Sequence, residues 1–160
     1  MLFRSPLLDR IDLHIEVPRL SEEELLQTQL AEPSVAIRKR VCDARNQQAK
    51  RFAAPIPYPA VDNDVPPHPA DVQAPVVHPK LFCNAQMGPA EIRAYCHASE
   101  PVRSLLRAAI QQLNLSARAY DRLLKVARTI ADLEGDKEIA TSHIAEAIQY
   151  RSLARKYLGG

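Results

Sequence analysis

Apolar residues recur at helical spacing through most of the second half of the chain. Between Ser116 and Gly135 the positions that share one side of a helix with 3.6 residues per turn are Tyr120, Leu123, Leu124, Ala127, Ile130 and Ala131. Ser116 is a favoured N-cap, and Gly135 is a favoured residue just after a helix. The pattern predicts an amphipathic helix over residues 116–135 with one face in a core.

Three more helices are predicted after residue 88. Pro89 suits the first turn of a helix, Ser99 suits the N-cap of the next one, and Thr141 suits the N-cap of the last. The helix after Ser99 carries a full apolar stripe, made of Val102, Leu105, Leu106, Ala109, Ile110 and Leu113.

A basic helix is predicted upstream, from Val35 to about Phe52, after a shorter helix that Ser21 begins and that ends near Leu30. Its inward positions are Ile37, Val41, Ala44 and Phe52, and its mostly outward cations are Arg38, Lys39, Arg40, Arg45, Lys50 and Arg51. Such cations are typical of a solvated helix face, and the alternative is a surface that faces nucleotide or DNA.

The start of the chain has a different period. Ile11, Leu13, Ile15 and Val17 alternate with polar residues, which is typical of a strand with one buried face. One strand cannot satisfy its own backbone hydrogen bonds, so we expect its partners on residues outside this chain. The predicted fold class is mainly α, a bundle of about five helices preceded by a single orphan strand.

Residues 53–82 contain eight of the chain's 13 prolines and few residues able to form a core. Because proline lacks a backbone N–H and interrupts helices, this segment is predicted to be a loop and not a helix or strand. We read it as a flexible spacer, and the alternative is a proline-rich ligand for a partner.

Composition narrows the class of protein. The chain is 46% apolar and 25% charged with a net charge of +2, which is ordinary for a globular protein and argues for no particular polyanion. It has no apolar run of membrane-spanning length and no signal-peptide pattern at its start, so a cytoplasmic location without membrane partners is expected. The three cysteines, at positions 42, 83 and 96, include no Cys-x-x-Cys pair, and we expect free thiols and no metal site.

A second face of the 116–135 helix carries Arg118, Arg122, Lys125 and Thr129. Arg118 falls in the first turn, where backbone N–H groups and the helix dipole favour an anion and disfavour an unpaired cation. This face therefore predicts a phosphate site. The alternatives are an exposed arginine at a helix start and, for Arg122 and Lys125, a solvated helix face.

Two segments resemble one known family. SARAYDRLLKVARTIADL at 116–133 resembles the sensor-2 helix in the lid domain of Mg-chelatase-like AAA+ ATPases of the bacterial competence type (ComM/YifB). SPLLDRIDLHIEV at 5–17 is similar to the arginine-finger segment and last strand of the same family's nucleotide-binding core. Weaker similarity runs through residues 44–51, 84–87 and 144–153.

The resemblance implies a role for each candidate residue. Arg118 is expected to be the sensor-2 residue that reaches the γ-phosphate of ATP, with Arg122 and Lys125 also binding nucleotide. Arg10 is expected to be an arginine finger that projects towards a neighbouring subunit, and the alternative, which spacing alone favours, is a local ion pair with Asp9 or Asp12. The implied domains are a C-terminal remnant of the AAA+ core at 1–31 and a helical lid at 32–160, with the proline-rich insertion at 53–82.

The resemblance also implies ATP and Mg²⁺ as cofactors of a full-length protein and a homo-oligomeric ring, expected to be a hexamer. Its partners would be its own P-loop core and DNA, because competence-type relatives act as helicases that move branched recombination intermediates. This chain has four glycines and no Gly-x-x-x-x-Gly-Lys-[Ser/Thr], so alone it should neither bind these cofactors nor hydrolyse ATP.

Two other functions stay open. The chain could belong to a magnesium chelatase subunit, since that enzyme shares the family. It could also be a free-standing helical module that binds a partner protein and has no nucleotide role. The predicted strand argues against the second alternative, because an autonomous module has no reason to carry one unpaired strand.

Overall fold

The computed structural model describes residues 11–26, 31–53, 81–113 and 115–158. This part of the chain is mainly α-helical, as predicted. Its elements are α1 (Glu22–Leu26), α2 (Ser34–Ala53), a 3₁₀ turn (Asn84–Gln86), α3 (Pro89–Tyr95), α4 (Glu100–Leu113), α5 (Ala117–Glu134) and α6 (Thr141–Leu158). The predicted helix starts after Ser99 and at Pro89 are confirmed.

Helix α5 lies at the centre of the bundle and packs against α2, α3, α6 and the 3₁₀ turn. Its Leu123 and Ala127 are completely buried. The core around them is formed by Met87, Ile92, Cys96, Val102, Leu106, Leu124, Ile130, Ile139, Ile144 and Ala147. Because four elements pack against α5, its side chains decide how the others are placed.

Both ends of α5 are fixed by the residues that the sequence singled out. The hydroxyl of Ser116 accepts a hydrogen bond of 3.2 Å from the N–H of Ala119. Gly135 adopts the left-handed conformation at φ +84°, and the N–H of Asp136 then bonds to the carbonyl of Ala131 at 2.8 Å. A left-handed residue there is least costly as glycine, which explains why the helix ends at this position.

Helix α2 departs from its predicted facing. Ala44 and Gln48 are buried, but Ile37 and Val41 are 43% and 47% exposed, although they lie on the same stripe. Only the C-terminal half of α2 reaches the core, where Phe52 packs edge to face on Tyr95 at 5.8 Å. In α4, Ile110 lies on the predicted apolar stripe but is 37% exposed.

The predicted strand is not formed in this structure. Residues 11–20 have no regular secondary structure, and Ile15 and Val17 are 68% and 84% exposed. The segment is tied to the bundle by a hydrogen bond of 3.0 Å from the N–H of His14 to the carbonyl of Tyr150. The alternating pattern needs neighbouring strands to become a sheet, and no described residue supplies one.

Two other predictions lie wholly or partly outside the described residues. The proline-rich insertion at 53–82 is described only at Ala53 and from Leu81 onward. The short helix predicted to reach Leu30 is described to Leu26.

The three cysteines are free thiols, as expected. Cys96 is buried in the core, and burial raises the pKa of its thiol to about 12 despite the opposing charges of Arg128 and Arg51. It is therefore a packing residue and a poor nucleophile. Among the described helices, none is long and apolar enough to cross a membrane.

Truncation of Leu123 tests the central position of α5. Leu123→Ala should lower the free energy of unfolding by about 2–5 kcal/mol, because the side chain of Leu123 is completely buried and its truncation leaves a cavity in the core. Leu133→Ala is the matched control on the same helix, 43% exposed, and should cost about 0.5 kcal/mol. Urea unfolding followed by circular dichroism measures both, and equal losses would contradict the described packing.

Candidate anion-binding surface of helix α5

Arg118 is the second residue of α5, and its side chain is exposed. Ser116 occupies the N–H of Ala119, and no described residue accepts from the N–H groups of Ala117 or Arg118. The guanidinium also has no ion-pair partner among residues 11–26, 31–53, 81–113 and 115–158. A cation thus lies at the positive end of an 18-residue helix, an arrangement that an anion would stabilise.

Arg122 lies one turn further along and is less available. Its Nη1 donates to Oδ1 of Asp12 at 3.0 Å, and the two side chains are 25% and 50% exposed. This ion pair and the bond from His14 attach the segment 11–20 to α5 and α6. An exposed pair of this kind contributes little stability, about 0–1 kcal/mol, so a phosphate could compete for Arg122.

Lys125 and Thr129 are partly exposed and form hydrogen bonds to other residues of the bundle. Lys125 Nζ donates to the carbonyl of Ala85 at 3.1 Å. Thr129 donates to the carbonyl of Lys125 at 2.8 Å and accepts from Nδ2 of Asn84 at 3.1 Å. Both side chains therefore hold the 3₁₀ turn against α5, and of the predicted phosphate face only Arg118 is unpaired within the described residues.

The predicted arginine finger, Arg10, lies outside the described residues. Its role stays a prediction. Two residues later the chain is in contact with α5 through Asp12, on the turn that follows Arg118.

At the C-terminal end of this face lies a buried ionic network centred on Asp132, which is 1% exposed. Arg51 of α2 donates to both carboxylate oxygens, through Nη2 to Oδ1 and through Nη1 to Oδ2 at 3.0 Å. Asn84 donates to Oδ2 at 2.8 Å, and its own Oδ1 accepts from Arg51 at 3.0 Å. The 3₁₀ turn, α2 and α5 therefore meet at one carboxylate.

Arg128 completes the network and is itself 1% exposed. Its Nε donates to Asp132 at 3.1 Å, one helical turn away. Its other two nitrogens donate to the carbonyls of Lys137 at 2.8 Å and Asp136 at 2.5 Å. A fully buried guanidinium is thus satisfied by one carboxylate and by the loop that leads from α5 to α6.

The electrostatics of the network favour its charged form. Burial raises the pKa of Asp132, but hydrogen bonds from Arg51 and Asn84 and the charges of Arg128 and Arg51 outweigh burial and hold that pKa below its usual value. Burial lowers the pKa of Arg128, and Asp132 opposes that shift. The site is therefore an ion cluster and offers no general acid or base near neutral pH.

A groove of about 420 Å³ adjoins the N-terminus of α5. Its lining residues are Arg103, Leu106, Arg107, Ile110, Leu115, Ser116, Ala117 and Tyr120. Two of them, Arg103 and Arg107, lie near Glu100 at 3.8 and 3.1 Å and are well exposed. The groove combines an apolar floor with cations at its edge, and it explains why Ile110 is exposed although it lies on the apolar stripe of α4.

One cluster has the composition of a metal site, but its hydrogen bonds assign it to a helix cap. Nε2 of His143 lies 3.1 Å from Glu134 and 3.3 Å from Asp136. Nδ1 of the same ring accepts the N–H of Ala140 at 2.9 Å, so the proton of a neutral ring is on Nε2. A metal at Nε2 would move that proton to Nδ1 and break the bond to Ala140. His143, and not the predicted Thr141, caps α6.

The buried network was not predicted from the sequence. Arg51 was predicted to face outward and instead turns into the core, because Asp132 and Asn84 offer it three acceptor atoms. The signal that could have found them was the resemblance at 44–51 and 84–87, which contain Arg51 and Asn84 and had no assigned role.

Comparison with known proteins agrees with the resemblance. Residues 31–151 match the family described as magnesium chelatase, subunit ChlI C-terminal. The match begins before α2, ends within α6, and includes every residue of the buried network.

Several longer proteins are similar to almost the whole chain. The competence protein ComM of Haemophilus influenzae is 36% identical over 152 residues, which are 94% of this chain and 24% of that protein. The uncharacterized protein YifB of Escherichia coli is 34% identical with the same coverage. The uncharacterized protein Rv2897c of Mycobacterium tuberculosis is 30% identical over 147 residues, 92% of this chain and 24% of that protein. The chain spans about a quarter of the length of these relatives.

Removal of the charge at Asp132 tests the network. Asp132→Asn should lower the free energy of unfolding near pH 7 by about 3–5 kcal/mol, because the buried Arg128 and the partly buried Arg51 lose their counter-ion. Asp121→Asn, a partly exposed position on the same helix, is the control and should cost about 0.5 kcal/mol.

The effect should depend on pH in one direction. Because the native pKa of Asp132 is depressed, its contribution is complete above the ordinary carboxyl value of 3.8 and is lost as pH falls through the lower native value. The gap between wild type and Asp132→Asn in urea unfolding should therefore narrow in that acid range. A gap that widens with acid would contradict the network.

Proposed function

The chain belongs to the magnesium chelatase ChlI C-terminal family, and we propose that it forms the lid of a Mg-chelatase-like AAA+ ATPase, supplying Arg118 and Arg10 to ATP hydrolysis. In this proposal residues 32–160 are the lid and residues 1–31 end the nucleotide-binding core. The complete protein is a ring, expected to be a hexamer, that moves branched DNA during competence and recombination.

The observation that carries the proposal is the placement of Arg118. Other polar residues on its face of α5 are paired with described groups, and Arg118 alone extends from the first turn without one. A guanidinium beside the free N–H groups of a helix start is suited to the γ-phosphate of a nucleotide, to which it can donate two parallel hydrogen bonds. In phosphoryl transfer such a cation stabilises the charge of the transition state.

A separate core would explain the segment 11–17. Its apolar residues Ile11, Leu13, Ile15 and Val17 are 39–84% exposed, which is unfavourable unless another surface covers them. A sheet in the remaining part of a longer protein would bury this stripe as its last strand. The relatives have the required length, since this chain accounts for 24% of ComM and YifB. A free-standing interaction module would leave this stripe uncovered.

DNA is the proposed substrate, and the alternative is the chelatase complex. The resemblance of residues 116–133 is to the competence-type branch, and a relative with 36% identity is named a competence protein. The P-loop of the core would hold ATP and Mg²⁺, whose ion neutralises phosphate charge. Arg118 would bind and orient the γ-phosphate from the lid. Arg122 would also bind the nucleotide if the nucleotide displaced Asp12 from it. Lys125 would keep its bond to Ala85 and hold the 3₁₀ turn against α5.

Mutation of Arg118 in the complete protein tests the proposal. Arg118→Ala should lower kcat for ATP by about 10²-fold or more, because a transition-state cation is lost, while ring assembly is retained. Arg93→Ala, an exposed arginine on α3, is the control. Steady-state ATP turnover and size-exclusion chromatography measure the two properties. Wild-type turnover in Arg118→Ala would mean that Arg118 is only a solvated residue at the start of the helix. The same fall in kcat is expected for Arg10→Ala, and wild-type turnover there would contradict its role as an arginine finger.

The chain alone should not turn over ATP. It lacks a glycine-rich phosphate loop, and arginines cannot replace one because phosphoryl transfer also needs bound Mg²⁺. Phosphate release from ATP and Mg²⁺ should equal the background of the buffer, with isolated Arg118→Ala as the comparison. Turnover that disappears in this variant would mean that the chain is an ATPase without a core.

A further inference from the structure

Positive charge is concentrated on α2. The 20 residues of Ser34–Ala53 contain six cations and one carboxylate, in a chain whose net charge is only +2. The rest of the chain is therefore net negative, and α2 is the one described helix with such an excess. A local excess of this size creates a field that a chain-wide net charge conceals.

The structure divides these six cations by use. Arg51 is bonded to Asp132 inside the bundle, and Arg40 forms a two-pronged pair with Glu32 at 2.6 and 2.9 Å. The other four are exposed and have no ion-pair partner among the described residues: Arg38, Lys39, Arg45 and Lys50. Arg45 makes one bond of 3.3 Å, to the neutral amide of Gln48.

These four side chains lie along the exposed side of α2, and Arg45 borders the buried Gln48, to which it is bonded. Helical spacing puts Arg38 and Arg45 on one edge and Lys39 and Lys50 on the other. Between the edges are Cys42, Asn46 and Ala49, all exposed. The face is thus a strip with small residues along its floor, two cations on each border and the exposed carboxylate of Asp43 beside Lys39 and Lys50.

The dimensions fit a nucleic-acid backbone. From residue 38 to residue 50 the helix rises about 18 Å, at about 1.5 Å per residue. A DNA duplex presents about ten phosphates over that length, at one charge per about 1.7 Å of axis. Because the floor is small, a backbone can approach the helix closely while all four cations reach it. The only central hydrogen-bonding side chain among the residues of this face is that of Asn46. The face is therefore suited to recognising the charge of the phosphates and not the sequence of the bases.

We propose that this basic face of α2 binds the phosphodiester backbone of DNA without sequence preference. The proposal rests on DNA as the substrate of the proposed function and adds where the lid contacts it. The face lies on a different helix from Arg118, so the two anions, nucleotide and DNA, are bound by separate residues.

Charge neutralisation on the 160-residue chain tests the surface. The variant carries Arg38→Gln, Lys39→Gln, Arg45→Gln and Lys50→Gln, which keep good helix formers at exposed positions. The matched control neutralises four exposed cations elsewhere, at Arg93, Arg103, Arg107 and Lys137. Unfolding curves of both variants are recorded first, so that loss of fold cannot imitate loss of binding.

Binding is measured without ATP by fluorescence anisotropy, with a labelled single strand and a duplex of about 30 nucleotides, between about 50 and 200 mM salt. In the α2 variant affinity should fall at least about tenfold at the lowest salt, and the slope of log K against log salt should flatten by about three to four. The control should keep both values. Unchanged binding in the α2 variant, or an equal loss in the control, would overturn the proposal.

Alkylation of Cys42 gives a second readout that leaves the four cations in place. Cys42 is exposed on the floor of the face, whereas Cys96 is buried, and Cys83→Ser removes the remaining partly exposed thiol. Bound DNA should slow maleimide labelling of Cys42 at least about fivefold at low salt, where the backbone contact is tightest. Unslowed labelling with DNA bound would place the DNA elsewhere and overturn the proposal. Because these assays contain no ATP, a negative result leaves the test of Arg118 in ATP turnover unaffected.

Discussion

The arrangement of the helices depends on the hydrogen bonds and ion pairs that the carboxylate of Asp132 accepts. It is buried on α5 and accepts hydrogen bonds from Arg51 on α2, Asn84 in the 3₁₀ turn and Arg128 on its own helix. A buried charge without partners costs several kcal/mol, so the native arrangement requires all three donors at once. Segments up to 81 positions apart in sequence are therefore fixed against α5 by one side chain.

This requirement divides the polar residues of α5 between structure and function. Near Asp132, Thr129 accepts a hydrogen bond from Asn84 and Lys125 donates one to the carbonyl of Ala85. The C-terminal half of the polar face therefore holds the 3₁₀ turn against α5. Arg118 escapes because it lies 14 residues away from Asp132, about 21 Å along the helix at about 1.5 Å per residue. The same division applies to α2, where Arg51 faces the core and Arg38 faces solvent.

Local signals explain which parts of the fold could be predicted. The limits of α5 follow from Ser116 and Gly135, whose preferences act within one turn, and its apolar face follows from a period of 3.6. The inward turn of Arg51 could not be found this way, because its cause is Asp132, 81 positions later. Of the candidate site, the exposure of Arg118 agreed with its helix position, whereas the engagement of Lys125 depended on the path of the 3₁₀ turn. The strand pattern at Ile11–Val17 describes side chains that need a sheet, and periodicity alone cannot supply one.

The two proposed anion sites, at Arg118 and on the outer face of α2, belong to helices that meet at Asp132. Helix α5 is the main packing partner of α2, so a displacement of one relative to the other has to cross this junction. Separating Arg51 from Asp132 would leave charges in a buried place, whereas shifting apolar contacts such as those of Ala44 costs far less. The helices should therefore respond to either anion as one rigid pair. This junction favours movement of α2 and α5 as one body over sliding of one helix along the other.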